Sequence, residues 1–446
     1  MNVGIISLIS IIIALCLMMF FAVKGLSLLV IGPLVSALVL FMSGINVMDG
    51  LTGAYSSSLG NFVISNFLLF LSASLFGHIL GECSAAEDIA YGLTKQIDKI
   101  KVGNKKFWTL LILTAVFAIL TYGGVSAFVI VFTMVPLTKR IFKKYDIPWQ
   151  YYMVVHSLGA NNFTASSLPG TPSVQNLIPI DYFGTTPMAA PKMGIITSIF
   201  SLVLGLIYMR YCLNKSEKRQ EGFLPTGELI NETILEEDSK NEANREHGSF
   251  LKAILSPVVV LVFMNIVNLP ASASLTLGIV ACIILYYKNF DNLYKTLGDG
   301  TMNGVKTLVT VAAIVGFGGV ITSVPAYDMI VSGIDKIPGS PLIQFVLAVN
   351  IVAGMTGSAS GGESIALEAF GSKFVSMGFD TAGLHRIVAI ACHGFDSVPW
   401  GGSIVNQLNV AKLTHKQGYK HVFVISALIP FVTALFAVFL YHLGII

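Results

Sequence analysis

The chain has 446 residues, of which 54% are apolar and only 11% charged, with a formal net charge of +3 and a mean hydropathy of +0.77. Soluble domains carry about 25% charged residues, so these values exclude an ordinary water-soluble protein and describe a polytopic one whose first partner is the lipid bilayer. The small positive balance gives no case for nucleic acid, because the basic residues lie in short loops between apolar runs.

A helix needs about 20 apolar residues to cross a bilayer, and runs of 10 to 14 fall short. The first run, 3–23, lacks a basic leader and is followed almost at once, past Lys24, by a second; we read it as a retained helix and not a cleaved signal. The full-length candidates are 3–23, 25–43, 61–81, 192–212, 251–268, 272–287, 304–322 and 422–444. The five cysteines (Cys16, Cys83, Cys212, Cys282 and Cys392) show neither CxxC nor Cys/His spacing. They read as packing residues, with no metal and no disulfide framework expected.

Two further spans are broken. The first, 149–180, is interrupted by Asn161, Asn162, Thr164, Ser166 and Ser167 and then by Leu168-Pro-Gly-Thr-Pro-Ser-Val-Gln-Asn176. Pro169 and Pro172 remove amide donors and stop a helix from running through. At membrane depth such backbone is tolerated only where it is buried in protein or lines a cavity. The second, 384–410, is broken at Cys392 to Asn406.

Two regions suggest helical hairpins that enter and leave on one side, the alternative being two tilted full spans joined by a short turn. In 107–138, two apolar legs of about 14 residues, ~20 Å at 1.5 Å per residue, flank Thr121-Tyr-Gly-Gly-Val-Ser126. Both outer flanks are basic: Lys105 and Lys106 before, Lys139, Arg140, Lys143 and Lys144 after. Basic loops stay cytoplasmic, so both ends belong on the inner side. The segment 341–374, turning at Thr356 to Glu363, has the same design. This topology leaves only Lys192, Lys336, Lys373 and Arg386 outside, of 27 basic residues.

The halves also rhyme. Gly77 to Ile89 parallels Gly318 to Ile330, and Leu168 to Asn176 parallels Val398-Pro-Trp-Gly-Gly-Ser-Ile-Val-Asn406 in the spacing of Pro, Ser, an aliphatic residue and Asn. With an odd number of spans in each half, the repeats must be inverted. The expected organisation is an N-terminal repeat, 1–212, an acidic flexible cytoplasmic linker, 213–249, and a C-terminal repeat, 250–446. The expected fold is all-α and polytopic, an inverted-repeat secondary transporter with two re-entrant hairpins and two broken helices.

Each break and hairpin tip offers helix N-termini and hydroxyl or amide side chains. Such N-termini hold anions without Arg or Lys, and neither residue lies within the breaks or tips. The candidate substrate-binding residues are Gly123, Gly124, Ser126, Asn161, Asn162, Thr171, Ser173, Asn176, Ser358, Ser360, Gly361, Gly362, Ser403 and Asn406. Thr171 is expected to cap a half-helix with Pro172 in its first turn; Ser360, Gly361 and Gly362 are expected to precede a helix containing Glu363. Carboxylates at membrane depth are functional candidates by default, so Glu363 and Asp396 are the coupling candidates. The structural alternatives are Glu363 as a helix cap and Asp396 paired with Arg386. No catalytic constellation, nucleotide loop or metal motif is present, and no enzyme activity or cofactor is expected beyond a coupling ion, H⁺ or Na⁺.

Thr121 to Ser126, Leu168 to Asn176, Tyr182-Phe-Gly-Thr-Thr-Pro-Met-Ala-Ala-Pro191 and Gly357-Ser-Ala-Ser-Gly-Gly362 resemble the gluconate permease family of the ion transporter superfamily, nearest its D-beta-hydroxybutyrate permease branch. The resemblance runs end to end. It implies uptake of a small hydroxy-carboxylate anion with H⁺ across a bacterial cytoplasmic membrane, by a homodimer whose hairpins and broken helices slide as an elevator against a scaffold. A Na⁺-coupled citrate or dicarboxylate carrier, and an anion channel, are the alternative readings.

Overall fold

The computed structural model describes residues 3–24, 26–85, 88–89, 103–124, 127–232, 249–336, 338–399 and 401–446, and among them every regular element is helical. The chain opens with α1 (Val3–Val23) and α2 (Leu28–Met42), the latter capped by Ser27. A buried hydrogen bond from the Ser43 hydroxyl to Ser7 Oγ (2.9 Å) joins their ends.

Helix α3 runs from Val47 to Glu82, through a π-helical turn at Leu51–Tyr55. It begins well before the expected 61, because Asn46 caps it and the Ser56 hydroxyl bonds back to the Leu51 carbonyl at 2.7 Å. A serine-rich run can thus satisfy itself inside a helix. The first hairpin follows as α4 (Lys105–Tyr122) and α5 (Ala127–Lys144). Its legs have 18 residues each, ~27 Å, longer than the ~20 Å behind the re-entrant expectation because the basic flanks continue the helices. Helix α4 is itself long and apolar enough to cross a membrane.

The first broken span comprises a 3-10 turn (Trp149–Tyr151), α6 (Tyr152–His156), a π-helical stretch (Ser157–Ala165), an irregular segment and α7 (Val174–Phe183). Helix α8 (Pro191–Lys218) then leads into the connecting segment. That segment is partly built in: the Phe223 amide donates to Asp146 Oδ1 at 2.8 Å, and Phe223 and Ile230 are buried in the core around Trp149. Its most acidic part, 233–248, lies outside the described residues.

The second half contains α9 (Phe250–Asn265), α10 (Ala271–Tyr286), the long α11 (Leu293–Ser323) and a short α12 (Ala326–Asp335) that the sequence reading missed. Its hairpin is α13 (Pro341–Thr356) and α14 (Ala359–Ala366), continued by a π-helical turn and α15 (Ser372–Ser376). The second broken span is α16 (Thr381–Ala391) and α17 (Gly402–Val410). Helices α18 (His415–Val422) and α19 (Ile429–His442), joined by a π-helical turn, close the chain.

The packing of one half answers that of the other. Helices α1 and α2 pair as α9 and α10 do; α2 lies on α11 as α10 lies on α3. The long helices α3 and α11 form the central pair, brought close where Gly319 faces the Ala54 carbonyl, 2.7 Å from where a Cβ would sit. Helix α4 packs on the π-helical stretch of the first break, and α13 on α16. The second legs cross over: α5 meets α17 and α14 meets α7. Large apolar side chains point outward along the helices, among them Ile64 (79% exposed) and Leu251 (75%), as a lipid-facing surface requires. Among the described residues, six helices are long and apolar enough to cross a membrane.

Candidate substrate and coupling site

The first break is built from backbone that cannot stay helical. Gly170, at φ +79°, turns the chain; its amide donates to the Pro187 carbonyl (2.9 Å) and its carbonyl accepts from Asn265 Nδ2 (3.0 Å). A Cβ there would meet Met188 Sδ at 2.7 Å and Asn265 Oδ1 at 2.8 Å. Helix α7 starts at Val174 with Ser173 at its N-cap, so Thr171 is not the cap that the sequence suggested. Proline at 172 disfavours helical backbone at Thr171, which delays the start. Ser173 instead donates to the Ala165 carbonyl at 2.5 Å, tying the two sides of the break.

The first hairpin's tip docks on this break. The Tyr122 hydroxyl donates to the Pro169 carbonyl (3.2 Å), the Thr121 and Thr164 hydroxyls touch, and Gly123 ends α4. Gly124 has φ +100°, and a Cβ on it would lie 3.1 Å from Pro172 Cγ. Ser126 falls outside the described residues. Asn161 is buried in the same break. Within it, the amide of Asn162 and the hydroxyls of Ser166 and Thr171 are fully buried with no hydrogen-bond partner. Buried polar atoms are nearly always satisfied, by protein or by ordered water, so these atoms have hydrogen-bonding capacity free for water or a bound molecule.

The second break has the same plan. Gly357, at φ +60°, ends α13, and the Ser358 hydroxyl caps α14 by accepting from the Gly361 amide (3.2 Å). Ser360, Gly361 and Gly362 therefore lie inside α14 and not ahead of it. Gly362 lets the legs close: a Cβ would sit 2.7 Å from the Ala353 nitrogen. The tip meets the break at Gly401, whose Cβ position is 3.2 Å from the Gly357 carbonyl and 3.1 Å from that of Asp396. Asn350, on α13, accepts from the Phe395 amide at 3.2 Å, a link the sequence reading missed. Beyond the break, Ser403 accepts from Gln407 Nε2 at 2.9 Å, and Asn406 is half-buried in α17.

Glu363 is 0% exposed, and neither carboxyl oxygen has a partner. It caps nothing, because it sits within α14. Asp396 is not paired with Arg386 either: Ser397 donates to it at 3.0 Å, and His393 Nδ1 is 3.9 Å away.

Arg386 instead crosses from α16 to the first break. Its Nε and Nη2 donate to the Ala189 carbonyl (3.2 and 2.9 Å), Nη2 also to Pro187, and Nη1 to the Ser166 carbonyl (3.4 Å) and Asn176 Oδ1 (2.9 Å). All five N–H groups meet neutral acceptors. Asn176 is equally committed: Nδ2 donates to the Thr171 and Pro187 carbonyls, and Oδ1 accepts from Arg386 and His385. The two residues fix the shape of the break, and an amide has no hydrogen-bonding capacity beyond these four bonds.

Beside the break, a cavity of about 190 Å³ opens between α3, α11 and α7, lined by Ser58, Asn61, Ser65 and Asn66 from α3 and by Asp181, Tyr182 and Glu368 opposite. The spacing of the α3 residues places them on one face, a polar stripe that the sequence reading did not weigh.

Among known proteins, the chain is 29% identical to the "Uncharacterized transporter YxjC" of Bacillus subtilis (strain 168) over 460 aligned positions, covering 94% of this chain and 95% of that one. Its fold is similar to that of the Alcanivorax borkumensis YdaH transporter, whose crystal structure is described as having an unusual topology: TM-score 0.57, 12% identity, 89% of this chain and 90% of that one. The chain has the fold of a membrane transporter. No family model matches it. It is an all-α, multi-pass membrane protein, and its likeness to a named transporter extends over nearly its whole length.

Proposed function

We propose that this transporter is a secondary symporter that takes up a short hydroxy-carboxylate, of the 3-hydroxybutyrate or gluconate type, with H⁺ across a bacterial cytoplasmic membrane. The observation that carries the proposal is the docking of each hairpin tip on a broken span, Gly124 against Pro172 and Gly357 against Gly401, around buried polar atoms that lack partners. Unwound backbone of this kind serves substrate and ion sites in inverted-repeat carriers. In this reading the halves are inverted across the membrane and the hairpins are re-entrant.

The moving part would be the hairpins with the broken spans, and the scaffold would be the pair α3 and α11 with the helices around it. The polar cavity on the seam between them suits an aqueous approach to the site. The gluconate permease resemblance of the quoted motifs supplies the substrate class, and the homodimer belongs to the same proposal. Asn162, Ser166 and Thr171 would contact substrate; Asn176 and Arg386 would position the break; Glu363 would carry the proton.

A ligand that binds the native state raises its stability by mass action. Purified protein should therefore melt at higher temperature with 3-hydroxybutyrate or gluconate, more so at acidic pH, and independently of Na⁺. Stabilisation by citrate only in the presence of Na⁺ would instead favour a Na⁺-coupled carrier. No stabilisation by any of these anions would remove the substrate assignment.

A further inference from the structure

The two breaks share a plan but carry opposite charge. The first holds the Arg386 guanidinium, fully buried, with neutral carbonyls and an amide as its acceptors. Among the described residues it makes no ion pair. The second break and its hairpin hold Glu363 and Asp396, with His393 Nδ1 3.9 Å from Asp396 as the one imidazole of that break among the described residues. The titratable groups on the elements packed against Glu363 are Asp181 and Tyr182 on α7 and Glu368 in the turn that follows α14; Cys392 lies just past α16. Neither α13 nor α11 between Leu308 and Ser323 carries a titratable side chain. None of these groups is a lysine or an arginine.

We infer that the two breaks divide the work: the first binds the carboxylate of the substrate, and the second hairpin and break bind the coupling cation. This rests on the symport reading above and deepens it. A cation placed among Asn162, Ser166 and Thr171 would face the guanidinium, whereas a carboxylate placed there is drawn to it, since like charges repel and opposite charges attract most strongly where water is excluded. The orphaned atoms fit this assignment. Asn162 Nδ2 and the Ser166 and Thr171 hydroxyls are buried groups able to donate that meet no acceptor, while Asn162 Oδ1 is likewise buried without a donor. A carboxylate offers only acceptors and so answers the first three. The start of α7 adds the positive end of its dipole.

On the other side, the two Glu363 oxygens are buried acceptors without donors. An anion there would meet like charge, and a proton on one oxygen neutralises the group. Transport would then load the anion at one break and the proton at the other, which ties uptake of one to uptake of the other.

The test separates affinity from coupling. Equilibrium binding of labelled 3-hydroxybutyrate, gluconate, citrate and lactate to the purified protein gives affinity, and proteoliposomes give proton-driven accumulation and substrate exchange. For Asn162→Ala and Thr171→Val the expected result is affinity weakened at least tenfold, with accumulation still driven by the proton gradient at saturating substrate. For Glu363→Gln it is affinity within threefold of wild type, exchange retained and accumulation lost. Ser166→Ala and Asp396→Asn repeat the two arms should a first variant not fold. Weakened affinity in Glu363→Gln and Asp396→Asn with unchanged affinity in the first-break variants would overturn the division. Binding of none of the four anions by the wild-type protein would instead defeat the symport reading itself.

Discussion

Arg386 Nη1 lies 2.9 Å from Asn176 Oδ1, joining residues 210 positions apart. The bond couples the first half of the second broken span to the break in the first, so the shape of one break depends on the other half of the chain. The guanidinium fork reaches acceptors on Ser166, Pro187 and Ala189 at once. A lysine presents a point charge and cannot span them. Arg386→Lys should therefore destabilise the protein by about 3 kcal/mol or more, as for a buried charge whose partners are lost. Thermal unfolding in detergent checks this, and an unchanged melting temperature would show that the fork is dispensable.

Asn176→Ala removes four hydrogen bonds at once, three of them buried. The Pro187 carbonyl keeps the Gly170 amide and Arg386 as donors, whereas each buried group left unsatisfied costs about 1–3 kcal/mol. We expect strongly reduced uptake together with a lower melting temperature. Asn406→Ala, at the related but half-buried position in α17, should reduce uptake with a much smaller change in melting temperature. Equal thermal effects in the two variants would argue against the structural role assigned to Asn176.

Gly362 permits the closest approach of the second hairpin's legs, and any Cβ there collides with the Ala353 backbone. Gly362→Ala should cost about 1–3 kcal/mol through overpacking and abolish uptake by displacing the tip from Gly401. Gly53→Ala, where a Cβ meets open space, is the control that should transport normally. Normal uptake in Gly362→Ala would mean that the hairpin tolerates spreading.

Ser65 and Asp181 line one cavity from opposite sides of the seam between α3 and α7. If the hairpins and broken spans slide against α3 and α11, a short bismaleimide joining Ser65→Cys to Asp181→Cys, in a background with the five native cysteines replaced, should arrest uptake. Each single variant given the same reagent should keep it. Full transport by the cross-linked protein would exclude sliding along this seam.

Much of the architecture was legible because prolines and glycines mark where helices must fail. Pro169, Pro172 and Gly170 located the first break; Gly124 and Gly357 located the tips. The lengths of the hairpin legs were not legible, because Lys105, Lys106 and the run Lys139 to Lys144 read as loop. Long basic side chains can instead ride on a helix with their heads turned to water, as the exposed Lys105, Arg140, Lys143 and Lys144 do, while Lys139 is buried. The partners of Arg386 were hidden for another reason. They are mostly backbone carbonyls about 200 positions away, and carbonyls carry no residue identity. The polar stripe Ser58, Asn61, Ser65 and Asn66 has helical spacing, but Ser and Asn scattered in an otherwise apolar helix can satisfy themselves on its own carbonyls and so carry no distinct signal.

The most direct measurement is uptake of labelled 3-hydroxybutyrate into proteoliposomes under an imposed inward proton gradient. Accumulation above equilibrium that collapses when a protonophore is added is the expected result. If neither 3-hydroxybutyrate nor gluconate, citrate or lactate accumulates under that gradient, the proposed proton-coupled carboxylate uptake is contradicted.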